Sequence, residues 1–522
     1  MIDLLFRGDA EPAAEIVGRA LERSFTRGQV RIGGDRWPQP APGAIVVALA
    51  PSEDDAERLT TLARSGSKIL LLGPLGPKLA DLAGICLSPI EDAFADAAAC
   101  PPAATYGLSQ SAGAVRYADR SLGAASPLRE RRLCRFDFTN EWNNLGFGRI
   151  GIGDDLWSIA VTARPTAAEL VAELAVAGHS VGAVATLRDT PTASILWFAR
   201  PVGPLDGADW RVVETFLSDH RPAELPCRPH LRDIPHGVAA AVTMRLDCDE
   251  DIASARPLYD LYRSRGLPLS VAIKTDQPET PEHLAFLSDL HAAGGTILSH
   301  SVSHAPNWGG SGEAAENEAR ASKAWLESRV PGLTVRYAVS PFHQNPTYVP
   351  AALARAGYDG FVGGIIANDP EYLMARGGRV PYGPSGFISH SQACMLHGDC
   401  LLADGDPIRI YKEAFRIARA GGQFFGYLDH PFSLRYAYGW ASEEDRLSKH
   451  TEFLDFIAAE CATAGPLLFL NEETCLDFML GKAATEIAYD RTRGSYQVSR
   501  THAAGMPLSV GFRGVIGSVS DA

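Results

Sequence analysis

The regular alternation of apolar strands and amphipathic helices over residues 238–482 limits the possible fold of this 522-residue chain more than any other feature. Short runs with the composition of buried strands are separated by longer runs with the apolar period of helices. The strand-like runs include AAAVTMRLD, LPLSVAIK, TILSH and FFGYLD, and RPLYDLYRSRG and HLAFLSDLHAAG are typical of the helices between them. Strands joined by crossover helices pair in parallel, so we predict an α/β fold with a distorted, incomplete (β/α) barrel in this region.

Two further α/β domains are predicted before the barrel. Residues 1–105 contain AIVVALAP, DDAERLTTLARSG and KILLLGP, a strand–helix–strand pattern typical of a parallel flavodoxin- or Rossmann-like sheet. Residues 106–135 are predicted to be a connector, 136–220 a second α/β domain and 221–237 a linker rich in Pro, Arg and His. Residues 483–522 contain short strand-like runs between turn residues, so we expect a small β segment after the barrel.

Composition excludes several classes of partner and compartment. The formal net charge of −14 disfavours nucleic acid and anionic membrane as main partners, because both attract basic surfaces. The nine cysteines are scattered and form no C-x-x-C pair, which favours reduced thiols over a disulfide framework. We find no signal peptide and no apolar run long enough to span a membrane, so we expect a cytoplasmic protein.

Polar groups follow four of the predicted barrel strands, at the edge where barrel enzymes place their chemistry. The four segments are RLDCDED, which supplies Asp247 and Asp249, SHSVSH, which supplies His300 and His304, SPFHQNP (340–346), and LDH, which supplies His430. Two imidazoles and a carboxylate suit a zinc-like ion with an open coordination position. A second carboxylate can accept a proton from water, and a histidine on the opposite side can protonate a leaving group. These residues therefore predict a metal-assisted hydrolase.

The order and spacing of these motifs resemble those of the NodB-type polysaccharide deacetylases, carbohydrate esterase family 4, over about half of the chain. The matching motifs are Asp247-Cys-Asp249, His300-Ser-Val-Ser-His304, Pro341-Phe342 and Leu428-Asp429-His430. The resemblance implies a zinc or other divalent metal cofactor and an N-acetylated amino-sugar polysaccharide or glycoconjugate as substrate. It implies the following roles: Asp247 and His430 catalytic, Asp249, His300 and His304 metal ligands, and Pro341, Phe342 and His343 substrate-binding.

Three features depart from the family's motifs. The adjacent Asp pair of the family is split into Asp-x-Asp here, so the base and the ligand remain exchangeable, with Glu250 as a further candidate. The arginine expected near Val339 is absent, and Arg245, Arg336 and His343 are candidates to replace it. The family's Asp-x-x-Asp/Asn-Trp motif is not evident, although HSQACMLHGDC (390–400) offers His390, His397 and Asp399 in that region.

Other interpretations of the same residues remain open. Asp249 would also suit the cap of the helix that follows, and His430 a packed polar position in a loop. Trp308, Tyr436, Tyr438 and Trp440 would serve either to stack on a sugar ring or to pack loops. At the level of function, the alternatives are a related hydrolase of a non-sugar amide or ester, and a catalytically degenerate protein that binds carbohydrate or acts as a scaffold.

Overall fold

The structure is a computed structural model that describes most of the chain. The described residues are 1–34, 36–38, 42–91, 94, 107–108, 113–132, 136–137, 159, 161–204, 209–364, 377–380, 383–392 and 394–519. Residues 106, 109–112 and 133–135 of the predicted connector, residues 138–158 of the predicted second domain, and Cys100 and Cys134 lie outside them. The seven described cysteines are free thiols. Within the described residues no helix has the length and apolar character needed to cross a membrane.

The described chain contains both strands and α-helices, which alternate most regularly in residues 2–89 and 240–364. The strands are β1 (Ile2–Leu5), β2 (Val30–Gly34), β3 (Ile45–Leu49), β4 (Ser67–Leu72), β5 (Ile85–Pro89), β6 (Gly107–Leu108), β7 (Gly113–Tyr117), β8 (Glu130–Arg132), β9 (Phe136–Asp137), β10 (Val161–Pro165), β11 (Glu169–Val176), β12 (His179–Asp189), β13 (Ala193–Phe198), β14 (His230–Leu231), β15 (Ala240–Cys248), β16 (Ser270–Ile273), β17 (Thr296–Ser299), β18 (Tyr337–Val339), β19 (Gly360–Gly364), β20 (Gly378–Arg379), β21 (Ile388–Gln392), β22 (Cys394–Met395), β23 (Phe424–Asp429), β24 (Leu467–Leu470), β25 (Thr485–Asp490), β26 (Ser495–Arg500), β27 (Leu508–Phe512) and β28 (Val515–Val519). The helices are α1 (Glu11–Phe25), α2 (Ala56–Arg64), α3 (Pro77–Ala83), α4 (Arg211–Ser218), α5 (Arg256–Ser264), α6 (Pro281–Ala292), α7 (Gly312–Arg329), α8 (Val349–Arg355), α9 (Arg409–Gly421), α10 (Glu443–Cys461) and α11 (Glu472–Ala483).

Strands from both predicted N-terminal domains pair in a single sheet. Its order begins β2-β1-β3-β4, all parallel, and continues through β13, which lies parallel to β4. The strand–helix–strand pattern of residues 44–74 is thus confirmed as β3, α2 and β4. The boundary that we predicted between two α/β domains lies within this sheet rather than between two sheets.

The predicted α/β pattern of residues 136–220 is wrong for the strands that the structure describes there. β12 pairs antiparallel with both β11 and β13, and β11 pairs antiparallel with β7. The reason is the length of the connections: Ala177 and Gly178 join β11 to β12 with φ values of 48° and 86°, a turn that reverses the chain within two residues. A parallel pair would need a crossover helix at this place.

Residues 240–470 form the predicted barrel of parallel strands. The strands run β21-β19-β18-β17-β16-β15-β23-β22, and each neighbouring pair is parallel. β21 and β22 are separated by one residue, and they pair with β19 and with β23 respectively, so the row of strands closes on itself. The barrel is therefore more complete than predicted, because β19, β21 and β22 were not evident in the sequence.

Alternate residues of β15 face the two sides of the barrel wall. Val242, Met244 and Leu246 belong to the apolar cluster that includes helix residues such as Tyr262 and Phe453. The intervening positions carry Thr243, Arg245 and Asp247, all buried, on the barrel interior. A polar row therefore runs inside the barrel toward the carboxyl ends of the strands, where the candidate site lies.

The chain after the barrel returns to the segment that precedes it. β25 and β26 form one hairpin and β27 and β28 another, which agrees with the predicted short strands of residues 483–522. β27 also pairs with β14, which lies in the predicted linker 221–237. This linker is consequently an ordered part of a small three-stranded sheet.

Candidate metal centre and active site

Three side chains converge at the carboxyl ends of β15 and β17. His300 Nε2 and His304 Nε2 lie 3.0 Å apart, and they lie 3.5 and 3.7 Å from the two carboxylate oxygens of Asp249. The donor atoms of all three residues fall within 4.8 Å of one another, as the ligands of a single ion would. The predicted ligands Asp249, His300 and His304 are thus brought together.

The turn that follows β17 aims both imidazoles at the same point. His300 Nδ1 is bound to the carbonyl oxygen of Val339 at 3.0 Å, which leaves Nε2 to face the cluster. The backbone N–H of His304 donates to Ser301 Oγ at 2.9 Å, and two N–H groups of the same turn donate to Glu318. Burial lowers the pKa of His304 to about 4, so its imidazole is neutral, the form that binds a metal.

Asp247 lies beside this cluster and is held by Arg245. Arg245 Nε donates to one carboxylate oxygen at 2.6 Å and Nη2 to the other at 3.1 Å, and both side chains are buried. Burial would raise the pKa of Asp247, but the charge and hydrogen bonds of Arg245 hold it well below its usual range. Of the two arginines considered in place of the one that the sequence lacks near Val339, Arg245 is the one that contacts Asp247.

His430 approaches the cluster from the opposite side. Its Nε2 lies 3.4 Å from Asp249 Oδ2, and its Nδ1 lies 2.7 Å from His397 Nε2. Burial lowers the pKa of His397 to about 3, so this ring is neutral, and its Nε2 lies within hydrogen-bond distance of His430 Nδ1. Burial also opposes protonation of His430, but its hydrogen bond to Asp249 and the nearby carboxylates raise its pKa. The neighbouring carboxylates thus shift the protonation equilibrium of His430 toward its charged form.

A cavity of about 270 Å³ opens over these groups. Phe342 forms one wall, with its ring 4.5 Å from that of His304, and Tyr438 forms another, stacked 4.3 Å from His430. Tyr438 also donates to Glu250 at 2.5 Å, which ties the loop after β23 to the end of β15. The lining comprises Asp247, Asp249, His300, His304, Ser340, Phe342, His343, Met395, His397, Asp399, His430 and Tyr438.

Backbone strain is concentrated around this cavity. Four of its lining residues are not glycine and yet have positive φ, namely His304 (56°), Phe342 (52°), His343 (56°) and Tyr438 (49°). This region of backbone conformation is unfavourable for residues with a Cβ atom, and it persists only where the surroundings enforce it. Strain at four positions around one cavity is typical of a functional site.

A buried network of hydrogen bonds around Asp429 lies next to His430. Asp429 accepts hydrogen bonds from Arg446 at 3.1 Å, from Trp440 at 3.3 Å and from the backbone N–H of His430 at 2.8 Å, and it lies 3.0 Å from His450 Nε2. Sequence reasoning missed Arg446 and His450, which lie on α10. Their four-residue spacing on a helix was visible, but nothing in the sequence connected that helix with β23.

Several other candidates occupy different places. Pro341 is buried in the turn between the lining residues Ser340 and Phe342 but does not itself line the cavity. Arg336 pairs with Asp359 and Asp477, away from Asp247. Trp308 and Trp440 are buried in the apolar core, whereas Tyr436 is exposed beside Tyr438. His390 lies inside the barrel and His397 and Asp399 lie at the cavity.

The donor set and one orphaned atom fit a zinc-like ion. Two imidazole nitrogens and one carboxylate oxygen are a common ligand set for zinc, while Mg²⁺ and Ca²⁺ prefer oxygen alone. Among the described residues, Asp249 Oδ1 is a buried carboxylate oxygen with no hydrogen-bond partner. An ion held by Asp249, His300 and His304 would satisfy that oxygen.

Comparison with solved structures found several that are similar to about half of this chain, at low sequence identity. A polysaccharide deacetylase from Mycobacterium smegmatis is 13% identical, with 47% of this chain and 92% of that chain covered and a TM-score of 0.34. The chitin deacetylase of Colletotrichum lindemuthianum is 13% identical, with 47% and 90% covered and a TM-score of 0.31. PuuE allantoinase is 12% identical, with 47% and 92% covered and a TM-score of 0.36.

No protein-family model and no curated protein matches the chain. With identities of 12–13% and TM-scores of 0.31–0.36, the solved structures carry no weight in the functional argument. What the fold and site define is a class: a closed barrel of parallel strands with a His-His-Asp cluster at their carboxyl ends.

Proposed function

We propose that this protein is a metal-dependent hydrolase that removes N-acetyl groups from an amino-sugar polysaccharide or glycoconjugate. One observation carries the proposal: the His-His-Asp cluster lies between a buried carboxylate held by arginine and the imidazole of His430, whose Nε2 is 3.4 Å from Asp249 Oδ2. Hydrolysis of an amide needs these three elements, namely an electrophilic centre, a proton acceptor and a proton donor.

Asp249, His300 and His304 would hold the metal, with zinc first among the candidates. When bound, the ion would polarise the substrate carbonyl and lower the pKa of a water molecule. Because the cluster opens into the cavity lined by Phe342 and Tyr438, the acetamide group can reach it from solvent. The aromatic faces of these two residues would support the apolar face of a sugar ring.

Asp247 would accept the proton as water attacks the carbonyl carbon. Its carboxylate is ionised over the whole physiological range, since Arg245 holds its pKa low. Asp247 Oδ2 lies 3.9 Å from His300 Nε2, next to the ligand cluster but outside the set of three converging donors. Asp247 on β15 and Asp249 just after the end of this strand both line the cavity, and we assign Asp247 the role of base and Asp249 that of ligand.

His430 would protonate the leaving amine. In this role, Nδ1 of His430 would donate a hydrogen bond to His397 Nε2. The proton to be delivered would then lie on Nε2 of His430, which faces the cluster. Acetate and a free amino group are the expected products.

The test is acetate release from a panel of N- and O-acetylated sugars and oligosaccharides. Zinc-loaded and chelated protein would be compared with the variants Asp247→Asn and His283→Gln. His283 is a matched control, because it is a barrel histidine bonded to a carboxylate, Asp251 at 2.6 Å, outside the cavity. Release that requires metal, is lost in Asp247→Asn and persists in His283→Gln would support the proposal and identify the substrate class.

Absence of release from every acetylated substrate, by protein shown to contain its metal, would refute sugar deacetylation. Turnover of a non-sugar amide or ester by the same protein would then assign the site to a different hydrolysis. Tight binding of an oligosaccharide without turnover would instead assign it to a binding role.

A further inference from the structure

A second group of metal-binding side chains lies inside the barrel, apart from the cavity. His390 is on β21, and Glu472 and Cys475 are three residues apart at the start of α11. Their donor atoms lie within 4.8 Å of one another, and His390 Nδ1 is 3.9 Å from Glu472 Oε2. All three side chains are completely buried.

Several polar atoms of this group have no hydrogen-bond partner among the described residues. Within the described part of the chain, neither ring nitrogen of His390 has a hydrogen-bond partner, and neither does Glu472 Oε2. The other carboxylate oxygen, Oε1, accepts from Gln392 at 2.7 Å, and the backbone N–H of Glu472 donates to Ser270 Oγ at 2.8 Å. A buried polar group left without a partner destabilises the folded state, and a carboxylate does so more than a neutral group. His390 Nδ1 and Glu472 Oε2, 3.9 Å apart, indicate that a group with which both can interact occupies the space beside them.

We propose that His390, Glu472 and Cys475 form a second metal site, which binds a zinc-like divalent cation within the barrel. An imidazole nitrogen, a carboxylate oxygen and a thiolate are ligands of Zn²⁺, whereas the hard cations Mg²⁺ and Ca²⁺ do not favour nitrogen and sulfur. A water molecule would satisfy His390 and Glu472, but it gains little from a thiol. On binding, the Cys475 thiol releases its proton to solvent and its sulfur becomes the third ligand.

A fourth donor is available in the same space. Gln392 Oε1 is buried and has no hydrogen-bond partner among the described residues. A Cβ atom at Gly426 of the facing strand would lie 2.7 Å from Gln392 Oε1 and 2.9 Å from His390 Cε1. Glycine at this position therefore leaves the room that both side chains occupy, and the four donors together match the coordination number of a structural zinc site.

The site differs from the candidate active site in a way that spectroscopy can detect. Only the second site would include a thiolate, so Co²⁺ bound there would show a near-ultraviolet charge-transfer band from sulfur to cobalt. The full chain would be refolded with excess Co²⁺, because the site is closed to solvent, and then dialysed. Metal content and absorption would be measured for the wild type and for Cys475→Ser, Cys248→Ser and His300→Gln.

Cys248 provides the matched control, because it is a buried barrel cysteine beside the active-site carboxylates but outside the proposed site. We expect two ions per chain and a thiolate band in the wild type, loss of the band in Cys475→Ser, and retention of the band in Cys248→Ser. His300→Gln should lose one ion and keep the band, which separates this site from the one on which the proposed function rests. A wild-type chain with one ion and no thiolate band would overturn the inference, and so would a band that Cys248→Ser removes.

Discussion

Replacing Arg245 with methionine should strongly destabilise the protein and nearly abolish hydrolysis. The substitution leaves Asp247 as a buried carboxylate without its two hydrogen bonds of 2.6 and 3.1 Å, while the side chain of Asp247 is only 3% exposed. Breaking a buried ion pair by removing one partner costs about 3–5 kcal/mol, because the remaining charge is uncompensated. That is a large part of the usual unfolding free energy, about 5–15 kcal/mol.

A double-mutant cycle would isolate the interaction. Asp247→Asn alone leaves a buried guanidinium with a neutral partner, and the double variant leaves neither charge, so it should lose much less than the sum of the two single variants. Arg245→Lys keeps the positive charge but loses the planar guanidinium that makes two hydrogen bonds to Asp247. It should lower the free energy of unfolding by about 1–2 kcal/mol. Urea denaturation, followed by circular dichroism and tryptophan fluorescence, would give the free energies.

Arg336→Met is the control for this cycle. Arg336 also pairs with carboxylates, Asp359 and Asp477, but its side chain is 27% exposed, so its removal should cost about 1 kcal/mol or less. Hydrolysis should survive Arg336→Met and fall about 100-fold in Arg245→Met, because the carboxylate is no longer held in position. Additive losses in the double variant, or full activity in Arg245→Met, would refute the argument that Arg245 positions Asp247.

Three further predictions concern histidines. His300→Gln should lose the active-site metal and all acetate release, as chelation does, and metal analysis of the purified variant checks this; a variant with unchanged metal content would contradict the ligand assignment. His430→Gln should lower kcat by about 10²–10⁴-fold with little change in KM, as expected for loss of a general acid, and a steady-state assay that shows only a KM effect would argue against that role. His230 is buried, and burial lowers its pKa from an ordinary value of 6.5 to about 4. As the pH falls, the unfolded state therefore binds a proton at this histidine before the folded state does. Unfolding free energy should therefore fall by about 2 kcal/mol between about pH 7.5 and pH 5, and urea denaturation should show this extra loss in the wild type and in His179→Gln, an exposed control, but not in His230→Gln. Equal pH dependence in all three proteins would refute it.

The barrel was predictable because the sequence patterns that define its strands and helices lie within short segments of the chain. Apolar runs of strand length and helical apolar periods gave β15, β16, β17, β18, β23 and β24 with the helices between most of them. The missed strands β19 and β21 are rich in glycine and serine, GFVGG and ISHSQ, so they do not have the composition of buried strands. The missed helix α9 was recoverable, since IYKEAFRIARAG has a helical apolar period and ends at Gly422, which has the left-handed conformation typical of a helix end.

The converging residues were predictable for a related reason. Parallel strands of one barrel end at the same rim, so Asp249, His300 and His304 were expected to meet once the strands before them had been recognised. His397 was named only as a nearby residue. Its contact with His430 depends on the pairing of β22 with β23, and this pairing closes the barrel between strands about 30 residues apart in sequence.

The missing arginine shows the difference between a motif and a site. Read as a motif, the absence of arginine near Val339 counts against activity, because one strand is expected to supply the partner of the base. Inside a barrel, however, side chains from all strands share one space, and residues two apart on a strand point the same way. Arg245 and Asp247 have this relation on β15, and the guanidinium reaches the carboxylate with two hydrogen bonds from its own strand. Under the proposed function, the charge that supports the base would thus come from the base's own strand, and the double-mutant cycle measures how strongly Arg245 and Asp247 are coupled.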